Sequence, residues 1–220
     1  MVRDGIYYSL GFTTGAVILA YLANPWLGVP LLMVGAFCAW FFRDPERPIP
    51  AGPVAVSPAD GKVVAIVPEA PGAVRISIFL NIFDVHVNRA PISGIITEVE
   101  YQKGLFVAAN RETASARNEQ NRVTIHAEDT RVVFKQIAGL IARRIVFNKK
   151  AGDYVSAGER VGMIKFGSRV DVVFGPEWHI EIREGMRVSA GSSVLARRAG
   201  LPETISVQRA PVEESVLCTT

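Results

Sequence analysis

The chain has 220 residues, a formal net charge of +3 and a pI near 9.0, and 49% of its residues are hydrophobic. This length suffices for one well-buried core plus an appendage, and the basic residues are too scattered for a nucleic-acid-binding stripe. The two cysteines, Cys38 in an apolar stretch and Cys218 in a polar tail, form no disulfide framework, so a reducing compartment is expected.

Residues 1–50 differ in composition from the rest of the chain. They contain two apolar stretches without a charge, residues 6–23 and 26–42, separated by Asn24-Pro25. Because this dipeptide would break a continuous helix, we predict an apolar helical hairpin. At the helical rise the second stretch is about 25 Å long, just short of the roughly 30 Å hydrocarbon core of a bilayer. The hairpin could therefore span a membrane or dip into it.

Basic residues flank this hairpin on one side. Arg3 precedes it, while Arg43 and Arg47 follow it. The positive-inside tendency then predicts a protein of the cell membrane whose remaining chain lies on the cytoplasmic side. A cleaved signal peptide is the alternative, but a second apolar stretch follows at once and no small-x-small cleavage site ends the first.

A mainly β core follows the Pro-rich joint at residues 44–50. Residues 74–80 alternate between apolar and other side chains, which is the period of a half-buried strand. Six further segments have similar patterns bounded by turn residues: 62–67, 94–101, 122–127, 131–137, 160–166 and 169–174. Helical character is confined to residues 108–118. We predict a β core over residues 51–199 and a polar C-terminal tail over residues 200–220, which we expect to be mobile or loosely packed.

A repeat within this core refines the prediction. The pattern G-x-x-V-S-A-G-x-x-V occurs at residues 152–161 and again at 185–194. It resembles the turn-and-strand units of biotinyl and lipoyl carrier domains. The expected fold is a flattened β-sandwich or barrel with two hammerhead-like turns and few short helices. Ser168 lies between the two repeats, where a sheet would hold it rigidly.

The Gly167-Ser168 bond carries the most specific chemical hypothesis. A Gly-Ser dipeptide usually marks a turn. However, a serine at a strained bend can attack its own preceding carbonyl and convert the amide into an ester. Elimination of that ester leaves dehydroalanine, which hydrolyses to a pyruvoyl group and ammonia. A pyruvoyl carbonyl condenses with amines as pyridoxal phosphate does, and so provides an electron sink for decarboxylation.

Three motifs give this hypothesis its context. SPADGK at residues 57–62, FDVHVNRAPISG at residues 83–94 and KFGSRVD at residues 165–171 have the order and spacing found in phosphatidylserine decarboxylases. Over roughly residues 50–199 the chain resembles the short prokaryotic form of that family. The resemblance implies a proenzyme that cleaves itself between Gly167 and Ser168 and keeps the two pieces, 1–167 and 168–220, associated.

The same resemblance implies the reaction. The covalent pyruvoyl group derived from Ser168 would form a Schiff base with phosphatidylserine and release CO2 to give phosphatidylethanolamine. Neither a metal nor pyridoxal phosphate is expected, since the three histidines are scattered and no metal-ligand spacing is recognisable. The implied partners are a membrane phospholipid and further copies of the chain in a homo-oligomer, and no nucleic acid.

Catalytic roles transfer onto matching residues. His86 matches the first histidine of the family's H-x-x-H motif and is the expected general acid that protonates the substrate carbon after decarboxylation. Asp60 corresponds to the aspartate that orients the second histidine for self-cleavage. That second histidine aligns with Arg89, and an arginine cannot act as a base. Either His86 takes both duties, or Asp60 acts through water, or the bend at Gly167-Ser168 is strained enough to need little base.

Arg89 itself has two interpretations. Its planar guanidinium suits a substrate carboxylate or phosphate, and a structural salt bridge is the alternative. A phosphodiester keeps its charge throughout the reaction, whereas the carboxylate is lost. An arginine can therefore bind the phosphate throughout the reaction without stabilising the ground state that must lose its carboxylate.

Two rival functions remain open. One is a non-catalytic, membrane-anchored domain of the biotinyl or lipoyl type, although Met163-Ile164-Lys165 lacks the displayed lysine of such carriers. The other is a pyruvoyl decarboxylase acting on a different serine phospholipid or on a soluble amino acid. The apolar N-terminus argues against the soluble substrate.

Overall fold

The computed structural model describes residues 2–107, 114–128, 130–139, 144–165 and 168–198. It begins with the predicted helical hairpin, α1 over Arg3–Leu22 and α2 over Pro25–Phe41. The Asn24 side chain caps α2 by accepting a hydrogen bond from the Trp26 N–H at 2.9 Å. The helices approach closely at Gly28, where an added Cβ would lie 2.6 Å from the carbonyl oxygen of Ala16. The hairpin prediction is confirmed.

The hairpin leaves many large apolar side chains exposed. Tyr21 is 88% exposed and Trp26 is 81% exposed. Among the described residues one helix, over Asp4–Leu22, is long and apolar enough to span a membrane, and α2 is shorter. Exposed apolar surface of this extent is typical of a contact with lipid or with another protein. The helix weakly supports membrane association.

Fourteen short strands and one short helix follow in the described part of the chain. They are β1 Val54–Val56, β2 Gly61–Ala70, β3 Ala73–Leu80, β4 Val87–Arg89, β5 Gly94–Gln102, α3 Ala114–Arg117, β6 Gln120–Ala127, β7 Thr130–Ile137, β8 Ile145–Phe147, β9 Tyr154–Val155, β10 Arg160–Ile164, β11 Ser168–Phe174, β12 Trp178–Ile180, β13 Arg187–Val188 and β14 Val194–Arg198. The predicted mainly β fold is confirmed. The strand predicted over 160–166 ends at Ile164, and of the helix predicted over 108–118 the structure describes 114–118 and assigns 114–117 as helix. The predicted tail over residues 200–220 lies outside the described residues.

Eight strands form one antiparallel sheet in the order β13-β2-β3-β11-β7-β6-β5-β9, and two three-stranded sheets have the orders β1-β14-β12 and β4-β10-β8. This arrangement divides the core into two matching halves. The Ser168 half consists of β1, β2, β3, β11, β12, β13 and β14. The Thr130 half consists of β4 to β10. The halves meet at the antiparallel pair β7 and β11, which begin with Thr130 and Ser168.

The repeated pattern occupies equivalent positions in the two halves. In the Thr130 half Gly152 and Gly158 have φ of 93° and 76°, and in the Ser168 half Gly185 and Gly191 have φ of 88° and 79°. These left-handed turns, which favour glycine, precede and follow the two-residue strands β9 and β13 at the outer edges of the large sheet. The likeness to biotinyl and lipoyl carriers remains a prediction.

The apolar core lies between the large sheet and the two small sheets. Its buried members from all three sheets include Ala55, Val63, Ile76, Ile78, Ile96, Val123, Phe134, Val161, Ile164, Val170, Val172, Leu195 and Ala196. Burying this set from both layers supplies the main stabilisation of the core. It also holds β11, the strand that begins with Ser168, between two paired neighbours.

Candidate active site

Ser168 is the first residue of β11 and is fully buried. It pairs with Leu80 at the end of β3, while Phe166 and Gly167 lie outside the described residues. The Ser168 Oγ atom is buried and has no hydrogen-bond partner among the described residues. Because buried hydroxyls are nearly always hydrogen-bonded, this exception needs a physical reason. A hydroxyl without a partner is available to react.

His86 lies in the loop between β3 and β4 and is also fully buried. Its backbone carbonyl accepts a hydrogen bond from the Ile164 N–H at 3.3 Å, so it adjoins the end of β10. The chain runs from there through Lys165 to the Gly167-Ser168 bond. The structure therefore brings His86, Lys165 and Ser168 to the same end of the core.

The His86 ring has a defined orientation. Its Nδ1 atom lies 2.9 Å from the carbonyl oxygen of Asp84, and the ring packs against Phe41 with centroids 4.4 Å apart. A carbonyl oxygen can only accept, so Nδ1 is assigned the hydrogen. In the neutral ring Nε2 is then the atom that can accept a proton.

Burial lowers the pKa of His86 from 6.5 to about 4. The carbonyl and charge of Asp84 oppose this shift, Arg43 adds to it, and Asp60 weakly opposes it. Desolvation dominates because a buried imidazolium loses its hydration. His86 is consequently neutral at pH 7, so Nε2 can accept a proton, but the same desolvation makes the ring a weaker base than free imidazole.

Asp60 is held by a neighbouring cation. Arg47 from the Pro-rich joint donates to both carboxylate oxygens, at 2.6 and 2.7 Å. Asp60 Oδ1 also accepts the Ala190 N–H, at 2.8 Å. In the Thr130 half Ser93 Oγ accepts the equivalent Ala157 N–H at 2.9 Å. Asp60 and the uncharged Ser93 therefore cap equivalent turns. The charge of Asp60 is paired with Arg47.

Arg89 is buried and bonded on several sides. Its Nη2 donates to Asp44 Oδ1 and to the Pro45 carbonyl oxygen, both at 3.1 Å, and Nη1 donates to the Gly158 carbonyl oxygen at 3.1 Å. An added Cβ at Gly191 would lie 2.9 Å from Arg89 Cδ. Arg89 therefore ties the joint to the turn of one repeat and packs against the turn of the other. This geometry favours the structural salt bridge over substrate binding.

A charged network that the sequence analysis missed lies on the other face of β11. Arg169 Nε donates to Asp171 Oδ1 at 2.6 Å, and Arg75 Nη1 donates to Asp171 Oδ2 at 3.1 Å. Arg169 and Arg75 both also donate to Ser77 Oγ. All four residues are buried. Their pairing fixes the strand that carries Ser168 from the side opposite the core.

A second missed contact joins the cleavage segment to the hairpin. Lys165 Nζ donates to Asp4 Oδ2 at 2.7 Å and lies 5.5 Å from the ring centroid of Tyr8 and 5.7 Å from that of Phe42. The sequence signal was a lysine within KFGSRVD and a lone acid at the start of α1. Among the described residues, no cluster of three or more His, Cys, Asp or Glu could hold a metal ion.

Comparison with known proteins supplies the class of this site. Residues 34–196 match the phosphatidylserine decarboxylase family. A phosphatidylserine decarboxylase proenzyme from Solibacter usitatus (strain Ellin6076) is 62% identical over 198 residues, which is 90% of this chain and 97% of that protein. Proteins of the same name from Syntrophus aciditrophicus (strain SB) and Solidesulfovibrio magneticus are 42% and 43% identical, over 89% and 90% of this chain and 96% of each relative.

The match covers most of the chain and nearly all of each of these relatives. The chain belongs to the phosphatidylserine decarboxylase family, in its short bacterial form. Membership implies a decarboxylase, which is a lyase, and a place in phospholipid biosynthesis.

Proposed function

We propose that this chain is a phosphatidylserine decarboxylase proenzyme that cleaves itself between Gly167 and Ser168. The products are an associated pair of subunits, 1–167 and 168–220, and the smaller subunit begins with the pyruvoyl group. The observation that carries this proposal is the buried Ser168 Oγ atom without a hydrogen-bond partner among the described residues, at the start of a central strand. The relatives' description as proenzymes supports it.

Self-cleavage begins at the serine. Ser168 Oγ attacks the carbonyl carbon of Gly167, the new C–O bond replaces the broken C–N bond, and the hydroxyl proton passes to the freed amine. Removal of the Ser168 Cα proton then expels the ester as the carboxylate of Gly167 and leaves dehydroalanine. Water converts dehydroalanine to the pyruvoyl group and releases ammonia. No outside oxidant or reductant is needed.

His86 carries the proton in the first step. It is neutral at pH 7 because its pKa is lowered to about 4, and Nε2 is its accepting atom. Asp60 instead caps the Ala190 N–H and pairs with Arg47, so both its oxygens are engaged. Of the three routes that the sequence leaves open, this geometry favours His86 taking both duties.

The residues at 168 and 86 also account for decarboxylation. The pyruvoyl group supplies a carbonyl that binds the substrate amine and takes up the electrons left by the departing carboxylate. Ser168 is fully buried, so we expect the surroundings of residue 168 to limit further access of water after the one hydrolysis that forms the pyruvoyl group. His86 must be protonated to donate to the substrate carbon, and the anionic head group beside the ring would raise its pKa toward that state.

The substrate phosphate needs a cation other than Arg89. Arg89 is occupied by Asp44, Pro45 and Gly158, and we propose that its role is structural. Arg43 is the one arginine among the causes of the His86 pKa shift, which brings a positive charge toward the site. Arg89 pairs its charge with the Asp44 carboxylate, whereas the acceptors described for Arg43 are the uncharged carbonyl oxygens of Trp40 and Phe83, so we propose Arg43 for the phosphate contact.

The hairpin brings this site to its substrate. The exposed apolar side chains of α1 and α2 enter the bilayer, and the basic residues at 3, 43 and 47 stay on the cytoplasmic side. Residues 1–50 then act as the membrane segment and residues 51–199 as the catalytic core, followed by the tail at 200–220. Only the head group needs to leave the bilayer. A homo-oligomer remains part of the proposal.

Intact mass spectrometry of the purified chain tests this function, beside a Ser168→Ala variant. The expected result is two fragments, the smaller with a keto group in place of its N-terminal amine, and one uncut chain for the variant. Vesicles of phosphatidylserine should then yield phosphatidylethanolamine and CO2 with the cleaved protein alone. A folded but uncut native chain would overturn the proposal and favour the non-catalytic domain. Faster turnover of a different serine phospholipid would show that this other lipid is the substrate.

A further inference from the structure

An exposed apolar loop lies three residues before His86. The β3–β4 connection presents Ile82, 39% exposed, and Phe83, 69% exposed, at its tip. Leaving two large apolar side chains in water costs free energy that their burial would recover. The loop belongs to the β core and not to the helical hairpin.

Hydrogen bonds fix the tip in this exposed position. The Asn81 side chain accepts the Phe83 N–H at 2.7 Å, and Asp84 Oδ2 accepts the Asn81 N–H at 2.9 Å. The Asp84 N–H also donates to the Asn81 carbonyl oxygen at 3.1 Å. The turn is therefore held in a shape that displays Ile82 and Phe83 instead of folding them inward.

The tip is continuous with the end of α2. The Phe83 ring packs edge-on against Trp40, with centroids 6.0 Å apart, and Trp40 is itself partly exposed. Arg43 bridges the two, since Nη2 donates to the Phe83 carbonyl oxygen at 2.6 Å and the guanidinium lies 4.3 Å from the Trp40 ring centroid. We call Trp40, Arg43, Ile82 and Phe83 the interfacial patch.

We propose that the interfacial patch is a lipid contact additional to the helical hairpin, at which the β3–β4 loop of the core inserts beside Trp40 and Arg43 into the head-group boundary of an anionic bilayer. The inference rests on the proposed membrane function. A lipid surface fits better than a protein partner because the patch continues the apolar surface of α2 and combines aromatic rings with an arginine, which bilayer interfaces favour. His86 follows in the same loop. Insertion would therefore hold the site at the depth of the lipid head group.

The chain in lipid nanodiscs of phosphatidylserine and phosphatidylcholine allows a direct test of depth. In a Cys38→Ala, Cys218→Ala background, an environment-sensitive fluorophore is attached to Phe83→Cys or, as a control, to Tyr154→Cys. Tyr154 is 62% exposed in β9, at an edge of the large sheet. The expected result is a blue-shifted Phe83 label that is quenched by lipids with a quencher near the head group. The Tyr154 label should be quenched by aqueous iodide instead.

Two outcomes overturn the proposal. One is equal iodide quenching at the two positions. The other is a blue shift at Phe83 that rises with protein concentration without lipid, since a second copy of the chain would then cover the patch. The labelling experiment needs no turnover and can be done with Ser168→Ala. A failure of self-cleavage therefore stays distinguishable from a failure of this inference.

An activity ratio gives a second readout. For Phe83→Ser, turnover of phosphatidylserine in vesicles relative to turnover of a dispersed short-chain phosphatidylserine should fall about tenfold, because burial of one large apolar side chain at the interface is lost. Tyr154→Ser should keep the native ratio. A ratio unchanged in Phe83→Ser would contradict the inference even if that variant were less stable, because loss of folded protein lowers both activities equally.

Discussion

The two halves of the large sheet begin their central strands with nearly the same triplet, Thr130-Arg131-Val132 in β7 and Ser168-Arg169-Val170 in β11. Their hydroxyls have different surroundings. Thr130 Oγ1 donates to Glu177 and accepts the Trp178 Nε1–H at 2.9 Å, whereas Ser168 Oγ has no partner among the described residues. The fold thus provides the same strand start twice. Equivalent places in the sheet therefore leave one hydroxyl bonded and the other without a partner among the described residues, and we expect only the second to react.

The turns capped by Ser93 and Asp60 also differ between the two halves, because one cap is uncharged and the other is a carboxylate. Ser93 caps Ala157 in the Thr130 half, and Asp60 caps Ala190 in the Ser168 half. The exchange of a hydroxyl for a carboxylate brings in Arg47 and adds a charged pair to the half that contains the site.

The largest effect is expected from exchanging the strand starts. Ser168→Ala should abolish self-cleavage. Adding Asp129→Gly and Thr130→Ser to that variant creates a Gly-Ser bond at the equivalent position, yet we expect no cleavage there. The hydroxyl at 130 has partners in Trp178 and Glu177, and His86 lies at the other end of the core. Intact mass spectrometry after prolonged incubation measures both outcomes.

Thr130→Val is the matched stability control for this exchange. It removes two hydrogen bonds from a buried site, so the free energy of unfolding should fall by about 1–3 kcal/mol while cleavage at Ser168 continues. Cleavage between positions 129 and 130 in the exchanged chain would show that a Gly-Ser bond at a strand start suffices. That result would contradict the proposal that cleavage depends on a serine hydroxyl without a hydrogen-bond partner.

The next largest effect concerns His86. His86→Gln keeps a polar side chain of similar size but no base, and self-cleavage should slow by about 10²–10⁴-fold. In the native chain the cleavage rate should be constant above about pH 5 and fall with a midpoint near 4, where His86 becomes protonated. His126→Gln, on the exposed face of β6, is the control. Time courses of fragment formation across pH measure both effects.

The lowered pKa of His86 also predicts the direction of a stability change. The folded state favours the neutral ring, so this contribution is complete above the unfolded pKa of about 6.5 and is lost as the pH falls toward about 4. Denaturant unfolding of Ser168→Ala, which stays uncut, should show this loss, and His86→Gln in that background should reduce it. A cleavage rate that falls with a midpoint near pH 6.5 would contradict the conclusion that burial lowers the pKa of His86.

Much of the fold could be predicted from local sequence because the relevant signals are local. Alternation of side chains predicted the strands, and the absence of charge around Asn24-Pro25 predicted the hairpin. The strand end at Ile164 was missed, since Lys165 and Phe166 continue the β pattern of the sequence. The short motifs pointed to Ser168 and His86 as residues, but their burial and bonding required the fold.

The partners of charged groups could not be predicted, because they come from distant segments. Asp60 meets Arg47 of the Pro-rich joint, and Lys165 meets Asp4 at the other end of the chain. No periodicity links such positions. The sequence left Arg89 between two roles for the same reason. A guanidinium suits phosphate and carboxylate alike until its neighbours are known.

An intermediate effect is expected from Arg89→Met. The change should lower the free energy of unfolding by about 2–3 kcal/mol, because Asp44 loses one of its two arginine partners and the Gly158 carbonyl loses a donor. Arg89→Lys keeps the charge and should recover part of that loss. The KM for phosphatidylserine vesicles should stay within about twofold for both variants. A tenfold rise in KM at unchanged stability would instead assign Arg89 to the substrate.

The smallest effect should come from removing the charge of Asp60, so that the turns capped by residues 60 and 93 both have an uncharged cap. Asp60→Asn keeps an acceptor for the Ala190 N–H but removes the charge that pairs with Arg47, so stability should fall by about 1 kcal/mol and self-cleavage should change by less than about threefold. Ser93→Ala removes the corresponding cap on Ala157 and should cost a similar amount. Denaturant unfolding and cleavage time courses separate the two quantities. If Asp60→Asn slowed cleavage a hundredfold while Ser93→Ala left it unchanged, the carboxylate would be part of the proton-transfer machinery, and the assignment of both duties to His86 would be wrong.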